Sequence, residues 1–433
     1  MSIRNTAPLA LALLALLAPL GTAATAADRQ GEPPRAPHAG AQAWTGSWSA
    51  APTVPFGAGV SAEGFEDRTI RQPLRVSRGG ERLRVRLSNV YGSTPLTIDA
   101  LSVALPRGNG GIRPGSSTTV TFGGSGSVTI APGTEVTSDP VDFAVRPDMD
   151  VIASLYVDEP TGPTTWHRLA NRTVYLSEPG DHTEAVTAAP FPATSTSFFF
   201  VSGLEVATDG DPGSVVAFGD SLTDGVGSSL DAARSYPSVL ARRLGGEVGV
   251  LNTGIGANQV INDTEYGSVG ALGRFEQDVL TQPGVRDIIW LEGLNDILGA
   301  AYFPDEAPTA AEIIDAYRDV IDRAHARDLR IIGATLPPFR DAAEWTAEGE
   351  ATRQALNAWI RDESGFDGIL DADAVWQDPA DPVRLNPAYA SGDGLHPNDA
   401  GYRALAEAVD LSCLSVGPQV GAHLSEREDC TLS

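Results

Sequence analysis

A serine, a histidine and two carboxylates stand in two short stretches of this chain, Gly219-Asp220-Ser221-Leu222 and Asp393-Gly394-Leu395-His396-Pro397. A serine hydroxyl is barely ionised near neutral pH. It becomes a nucleophile when an imidazole takes its proton and a carboxylate holds that imidazole in the right tautomer. Asp393, three residues before His396 in a tight loop, can accept one imidazole N–H while the other ring nitrogen faces Ser221. The histidines are His38, His167, His182, His325, His396 and His423. Only His396 combines a glycine-containing loop, an acid three residues earlier, and a following Pro-Asn that leads into a helical segment.

Two further stretches offer what such a nucleophile needs next. In Leu291-Glu292-Gly293-Leu294-Asn295-Asp296, Asn295 can point its amide into the same cleft, and an amide donor suits a developing oxyanion. In Asn252-Thr253-Gly254-Ile255-Gly256-Ala257-Asn258, a glycine-rich turn, backbone N–H groups can supply another donor. Read singly, each stretch also fits a plainer role: a turn serine, a loop histidine, an asparagine serving its own turn.

The elements around these residues are of one kind. Val215–Phe218, Ile288–Leu291 and Ile331–Ala334 are short continuous apolar runs, as expected of strands buried on both faces, and Val248–Leu251 precedes the glycine-rich turn. Between them, Ile313, Ile314, Tyr317, Val320, Ile321 and Ala324 recur at helical spacing. Helices are also predicted over Arg234–Leu244, Ala351–Arg361 and Asn398–Val409, the last with Asn398 as N-cap. Strand–helix–strand succession implies a parallel sheet with helices on both faces, whose ligands bind at the carboxyl ends of the strands. Ser221 and Asn295 fall there. The local pattern is not the Gly-x-Ser-x-Gly elbow of α/β-hydrolases.

Before this region, residues 44–208 read as an all-β, sandwich-like domain. Leu83–Leu87 and Val151–Val157 are β-prone, glycine pairs punctuate the segments, and no helical apolar stripe appears. Arg82, Arg84 and Arg86 alternate with apolar residues and read as a solvated strand face. Residues 28–43 read as a flexible lead-in. Residues 1–27 read as a signal peptide directing secretion: Arg4, an apolar run from Ala7 to Leu20, then Ala24-Thr25-Ala26-Ala27. The run is shorter than the roughly 20 residues of a spanning helix. Residues 209–412 form the second domain. The tail, 413–433, holds both cysteines, and in an exported chain a Cys413–Cys430 disulfide is expected.

At 433 residues with 42% hydrophobic and 20% charged residues, the chain suits two soluble domains. Its formal charge of −26 argues against nucleic acid and anionic membrane as partners. All 30 basic residues are arginine. Without lysine, serine–lysine dyads, lysine Schiff bases and pyridoxal chemistry are excluded.

In chain order, GDSL, GIGAN, GLND and DGLHP resemble the motifs of the SGNH (GDSL-type) hydrolase family, over about Val215 to Val409. The resemblance implies a flavodoxin-like, three-layer α/β/α domain that hydrolyses esters with neither metal nor cofactor. It implies Ser221 as nucleophile and first oxyanion donor, Asn295 as side-chain oxyanion donor, His396 as general base, Asp393 as its carboxylate partner, and Asp220 as a brace. The family's second-block glycine aligns best with Ala257, so the backbone donor stays open between Gly256 and Ala257. Trp44-Thr45-Gly46-Ser47-Trp48 and Thr165-Trp166-His167 resemble segments upstream of this domain in secreted bacterial members. The expected activity is a carboxylesterase or lipase acting through an acyl-enzyme on small or polymer-borne esters. The alternatives are a carbohydrate O-deacetylase and a non-catalytic glycan- or wall-binding protein.

Overall fold

The apolar runs become the centre of a five-stranded parallel sheet. Its order is Gly249–Gly254, Ser214–Gly219, Val285–Leu291, Arg330–Ala334, Gly368–Leu370. In chain order this is 2-1-3-4-5, the doubly wound order whose switch point lies beside the first strand. Val215, Val216, Ala217 and Phe218 are fully buried, as are Ile288, Ile289 and Trp290, which is why these strands read as unbroken apolar runs. The Phe218 and Trp290 rings stack at 5.1 Å across neighbouring strands.

Helices cover the sheet in two contacting groups. Tyr236–Arg243 and Ala372–Trp376 pack on Asp399–Ala408, while Ala310–His325 packs on Ala347–Asp362 and Ala271–Phe275. Thr309 and Glu312 close a capping box at the start of Ala310–His325, fixing where that helix begins. Asn398 caps Asp399–Ala408, its Oδ1 accepting from Ala400 N at 2.8 Å and Gly401 N at 3.1 Å. Ala347–Asp362 starts four residues earlier than its apolar spacing suggests, because Thr346 caps it and accepts from Gly349 N.

The computed structural model describes residues 43–210 and 213–415. Before Asp209 the chain is β-rich, with two antiparallel sheets of five and six strands. Arg68–Val76 and Met149–Val157 pair along their whole length in the larger sheet, and Gly80–Ser88 lies within the smaller one. Their buried residues, among them Ile70, Leu83, Val85, Leu155 and Val206, form a cluster separate from that of the parallel sheet. The two parts are pinned together. Val250 N donates to Ser77 Oγ at 2.9 Å, Ser49 Oγ to the Asn252 carbonyl at 2.9 Å, and Arg86 Nη2 to Gln282 Oε1 at 2.6 Å.

Arg86 corrects the reading of its strand. It is buried against Gln282, and Arg84 pairs with Glu205 and stacks on Trp44 at 4.0 Å, so the charged face is covered at these two positions, while Arg82 stays 38% exposed in its pair with the exposed Asp142. The second domain supplied Gln282, and other strands of the same sheet supplied Glu205 and Trp44, partners that alternation alone cannot reveal. The expected signal peptide, 1–27, lies outside the described residues, as do all of the lead-in but Ala43, and Cys430. Cys413 is buried at the end of the short turn Leu411–Cys413. No helix of the described residues is long and apolar enough to cross a membrane.

Candidate active site

The strand Ser214–Gly219 runs out at Asp220, and the chain turns at once into the single helical turn Ser221–Asp224. Asp220 caps this turn, its Oδ1 accepting from Leu222 N at 2.9 Å. Ser221 is thereby the first residue of the turn, over the carboxyl edge of the sheet. His396 arrives from the other end of the domain on a loop held by close backbone approaches. A Cβ on Gly394, which has φ +79°, would fall 2.3 Å from the Asp341 backbone, and one on Gly227, φ +89°, 2.6 Å from the Pro397 carbonyl oxygen.

His396 Nε2 lies 2.8 Å from Ser221 Oγ, and His396 Nδ1 lies 2.6 Å from Asp393 Oδ2. The other oxygen, Asp393 Oδ1, accepts from His396 N at 2.8 Å and Leu395 N at 2.9 Å. Partial burial works to raise the Asp393 pKa. The His396 backbone N–H, its imidazole and the Leu395 N–H outweigh that burial and bring it down to about 2. Asp393 is therefore an acceptor only at neutral pH. Nδ1 carries the proton, and Nε2 offers its lone pair to the serine hydroxyl.

Asn295 follows the end of the strand Val285–Leu291. Its Nδ2 donates to Asp220 Oδ2 at 3.1 Å, so Asp220 bridges the serine turn and the asparagine. Burial pushes the Asp220 pKa up to about 7 against the lowering effect of the Leu222 N–H, with Asp296 raising it further. Asp296, itself pushed by burial to about 7, holds Val260 N at 2.7 Å and Ile261 N at 3.3 Å. Glu292 is fully buried with neither carboxyl oxygen hydrogen-bonded. Burial first, then Asp220, raises its pKa well above the usual carboxylate range, although Arg274 lies 3.8 Å away.

Ala257 has φ +65°, the left-handed region a residue with a Cβ adopts at a cost of about 1 kcal/mol or more. The turn that holds it is tied to the serine strand by Ile255 N donating to the Gly219 carbonyl at 3.0 Å. Gly256 presents its carbonyl to Arg168 Nη2 at 3.1 Å. Asp393, His396 and Ser221 thus form one hydrogen-bonded series, and Asp220, the residue before Ser221 in the chain, hydrogen-bonds Asn295, with Gly256 and Ala257 on the next strand's exit.

Sequence reading missed Arg274. This buried side chain donates to the Gly219 carbonyl at 2.8 Å, the Thr253 carbonyl at 2.7 Å, Asn258 Oδ1 at 2.8 Å and Asp278 Oδ2 at 3.0 Å. It ties the exits of the first two strands together. Its only trace in the sequence is the i,i+4 spacing to Asp278.

Beside Asn295 runs a groove of about 390 Å³ whose lining includes Phe56, Tyr266 and Phe303 with Asp263, Glu265 and Glu306. A second cavity, about 300 Å³, lies where the β-rich part meets the turn after Ser221, and its lining includes Trp48, His167 and Asp224. Neither lining includes Ser221 or His396. Among the described residues no group of three or more His, Cys, Asp or Glu side chains is placed to hold a metal ion.

The model of the GDSL-like Lipase/Acylhydrolase family matches residues 217–404, a span that contains Asp220, Ser221, Gly256, Ala257, Asn295, Asp393 and His396. Residues 217–404 are a GDSL-like lipase/acylhydrolase domain. The chain is accordingly an enzyme of the ester-hydrolase class. Solved structures similar to it include a carbohydrate acetylesterase family member from Sinorhizobium meliloti, at 20% identity over 45% of this chain and 94% of that one, TM-score 0.37. The aryl esterase of M. smegmatis is 18% identical over 45% and 95%, TM-score 0.37. A GDSL-like lipase from Bacteroides thetaiotaomicron is 19% identical over 47% and 88%, TM-score 0.36. No curated protein sequence matches the chain.

Proposed function

We propose that the GDSL domain is a serine carboxylesterase working through an acyl-enzyme, with Ser221 as nucleophile, His396 as general base and Asp393 as its orienting carboxylate. The observation that carries this reading is the series Asp393–His396–Ser221, with separations of 2.6 and 2.8 Å. His396 Nε2 takes the hydroxyl proton as Ser221 Oγ attacks the ester carbonyl. The oxyanion is held by the free amide N–H of Asn295, the backbone N–H of Ser221 and that of Gly256 or Ala257. His396 then gives its proton to the leaving alcohol, and water, activated by the same imidazole, releases the acid. The left-handed backbone at Ala257 supports that residue over Gly256, since such strain is retained where a backbone group must be aimed.

The framework we infer is a β-sandwich followed by a three-layer α/β/α domain, supported by the large core cluster of the β-rich part and the two helix groups. We also infer secretion, on the amino-terminal apolar run. A second reading of the substrate, a carbohydrate ester, is favoured by the groove beside Asn295. Flat aromatic faces next to carboxylate acceptors suit a polyhydroxylated alcohol and are poorly suited to a long acyl chain. The decisive experiment is Ser221→Ala with a p-nitrophenyl ester: loss of both burst and turnover is expected, and retained turnover overturns the nucleophile assignment.

A further inference from the structure

His167 lies outside the hydrolase domain in sequence, in the short strand Trp166–His167 of the β-rich part, yet its imidazole reaches the turn that carries Ser221. Nε2 is 3.2 Å from Asp224 Oδ1, and Nδ1 is 2.9 Å from the Ala51 carbonyl oxygen. Both side chains are buried. A carbonyl oxygen only accepts, so Nδ1 carries a proton there, and a carboxylate asks the same of Nε2. As an imidazolium facing a carboxylate, the ring has both its nitrogens satisfied. Facing the ring are the Asp224 carboxylate, the Ala51 carbonyl, the Arg168 guanidinium and the Phe198 ring, stacked at 6.4 Å. Burial pulls the His167 pKa down, but the charge and hydrogen bond of Asp224 and the Ala51 carbonyl outweigh it and raise it.

Asp224 closes the one-turn helix that begins at Ser221, and that turn has little slack. Asp224 N donates to the Asp220 carbonyl at 2.9 Å, Asn252 Nδ2 holds the Thr223 carbonyl at 3.0 Å, and a Cβ on Gly254 would lie 2.2 Å from Asp224 N. Asp224 Oδ2 has no hydrogen-bond partner among the described residues, so His167 is what holds this carboxylate. Its direction is set from the β-rich part.

We propose that His167 is a positioning residue for the nucleophile. By gripping Asp224 it sets where Ser221 stands relative to His396 and Asn295, which makes the β-rich part a component of the catalytic apparatus. The proposal rests on the carboxylesterase reading. Two histidines then oppose each other in pH: His396 must be neutral to act as base, and His167 must be protonated to grip. The profile of kcat in the parent enzyme is bell-shaped, and its alkaline fall belongs to His167.

The test uses the full chain and p-nitrophenyl acetate between pH 5 and 10, with His167→Gln, Asp224→Asn and the variant carrying both changes. His167→Gln is expected to lower kcat about 10–100-fold, the scale of small misplacements of a reacting group, with KM within about twofold. It also loses the alkaline fall. The combined variant is expected to be no slower than the worse single one, because the two residues act as a unit. It leaves no buried charge unpaired, so it reports on the proposal where a single variant does not fold. The proposal is overturned by a kcat within about twofold of the parent, a change in KM alone, additive losses, an alkaline fall that survives in His167→Gln, or a parent profile without one. Turnover retained by Ser221→Ala would instead mean that the carboxylesterase reading itself had failed.

Discussion

Replacing Asn295 by alanine tests the oxyanion assignment, and its effect can be set against that of its neighbour. One hydrogen of the Asn295 amide is committed to Asp220 Oδ2 at 3.1 Å, leaving the other for charge that develops on the substrate. Asn295→Ala removes a donor that acts on that charge, which elsewhere costs about 10²–10³ in kcat, or about 2.7–4 kcal/mol. KM should barely change, since the ground-state carbonyl gains little from the donor. Asp220→Ala leaves Asn295 in place but removes its anchor and the acceptor that caps the serine turn at Leu222 N. The anchor is worth about 1 kcal/mol net, so its loss should lower kcat about fivefold, and loss of the cap should add at most a similar factor. Steady-state kinetics on p-nitrophenyl acetate, with a pre-steady-state burst to count acylating sites, resolve both effects. Asn295→Ala within about threefold of the parent, or Asp220→Ala slower than Asn295→Ala, would refute the reasoning.

Asp393→Asn should cut kcat steeply at every pH, because an amide in place of the carboxylate allows the wrong imidazole tautomer; stopped-flow acylation rates measure it. Stability should fall as pH rises. Asp220 and Asp296 titrate at about 7 and Asp278 at about 6 in the folded protein, all above the usual carboxylate range, so the folded state binds extra protons between the unfolded and folded values. Their contribution is present below the unfolded pKa and lost as pH rises through 6–7, so Tm should drop between pH 5 and 8 in calorimetry. Asp393, at about 2, has the opposite sign: its contribution is lost only as pH falls through about 2. Thiol titration of the unfolded, unreduced protein should find no free thiol if Cys413 pairs with Cys430, a bridge worth about 3 kcal/mol for a loop of that length. Replacing Tyr266 and Phe303 by alanine should raise KM for acetylated sugars more than for p-nitrophenyl acetate; an equal change would argue against the carbohydrate reading of the groove.

Much of the hydrolase domain is legible in the sequence. Val215–Phe218, Ile288–Leu291 and Ile331–Ala334 appear as strands because both faces of a parallel sheet are buried, and burial writes itself as an unbroken apolar run. Asn398 was legible as a cap because capping is local hydrogen bonding. Other elements left weaker marks. Gly368–Leu370 is only three residues long, and Ala271–Phe275 passes into a wider-pitched turn, Glu276–Leu280, with too little periodicity to register.

Ser221, His396, Asp393 and Asn295 stood out because their chemistry demands particular side chains at turns after strands, and such turns carry glycine and asparagine signatures. The sequence by itself therefore pointed to the ester-hydrolase class and to the residues proposed to carry the reaction. Only the tertiary structure decided how they are held: Asp220 between Ser221 and Asn295, Arg274 across two strand exits, and His167 on Asp224. Those contacts join residues 57 or more positions apart for His167 and 75 for Asn295. A buried polar group is satisfied by whatever partner the fold brings within about 3 Å, and no local pattern records which partner that will be.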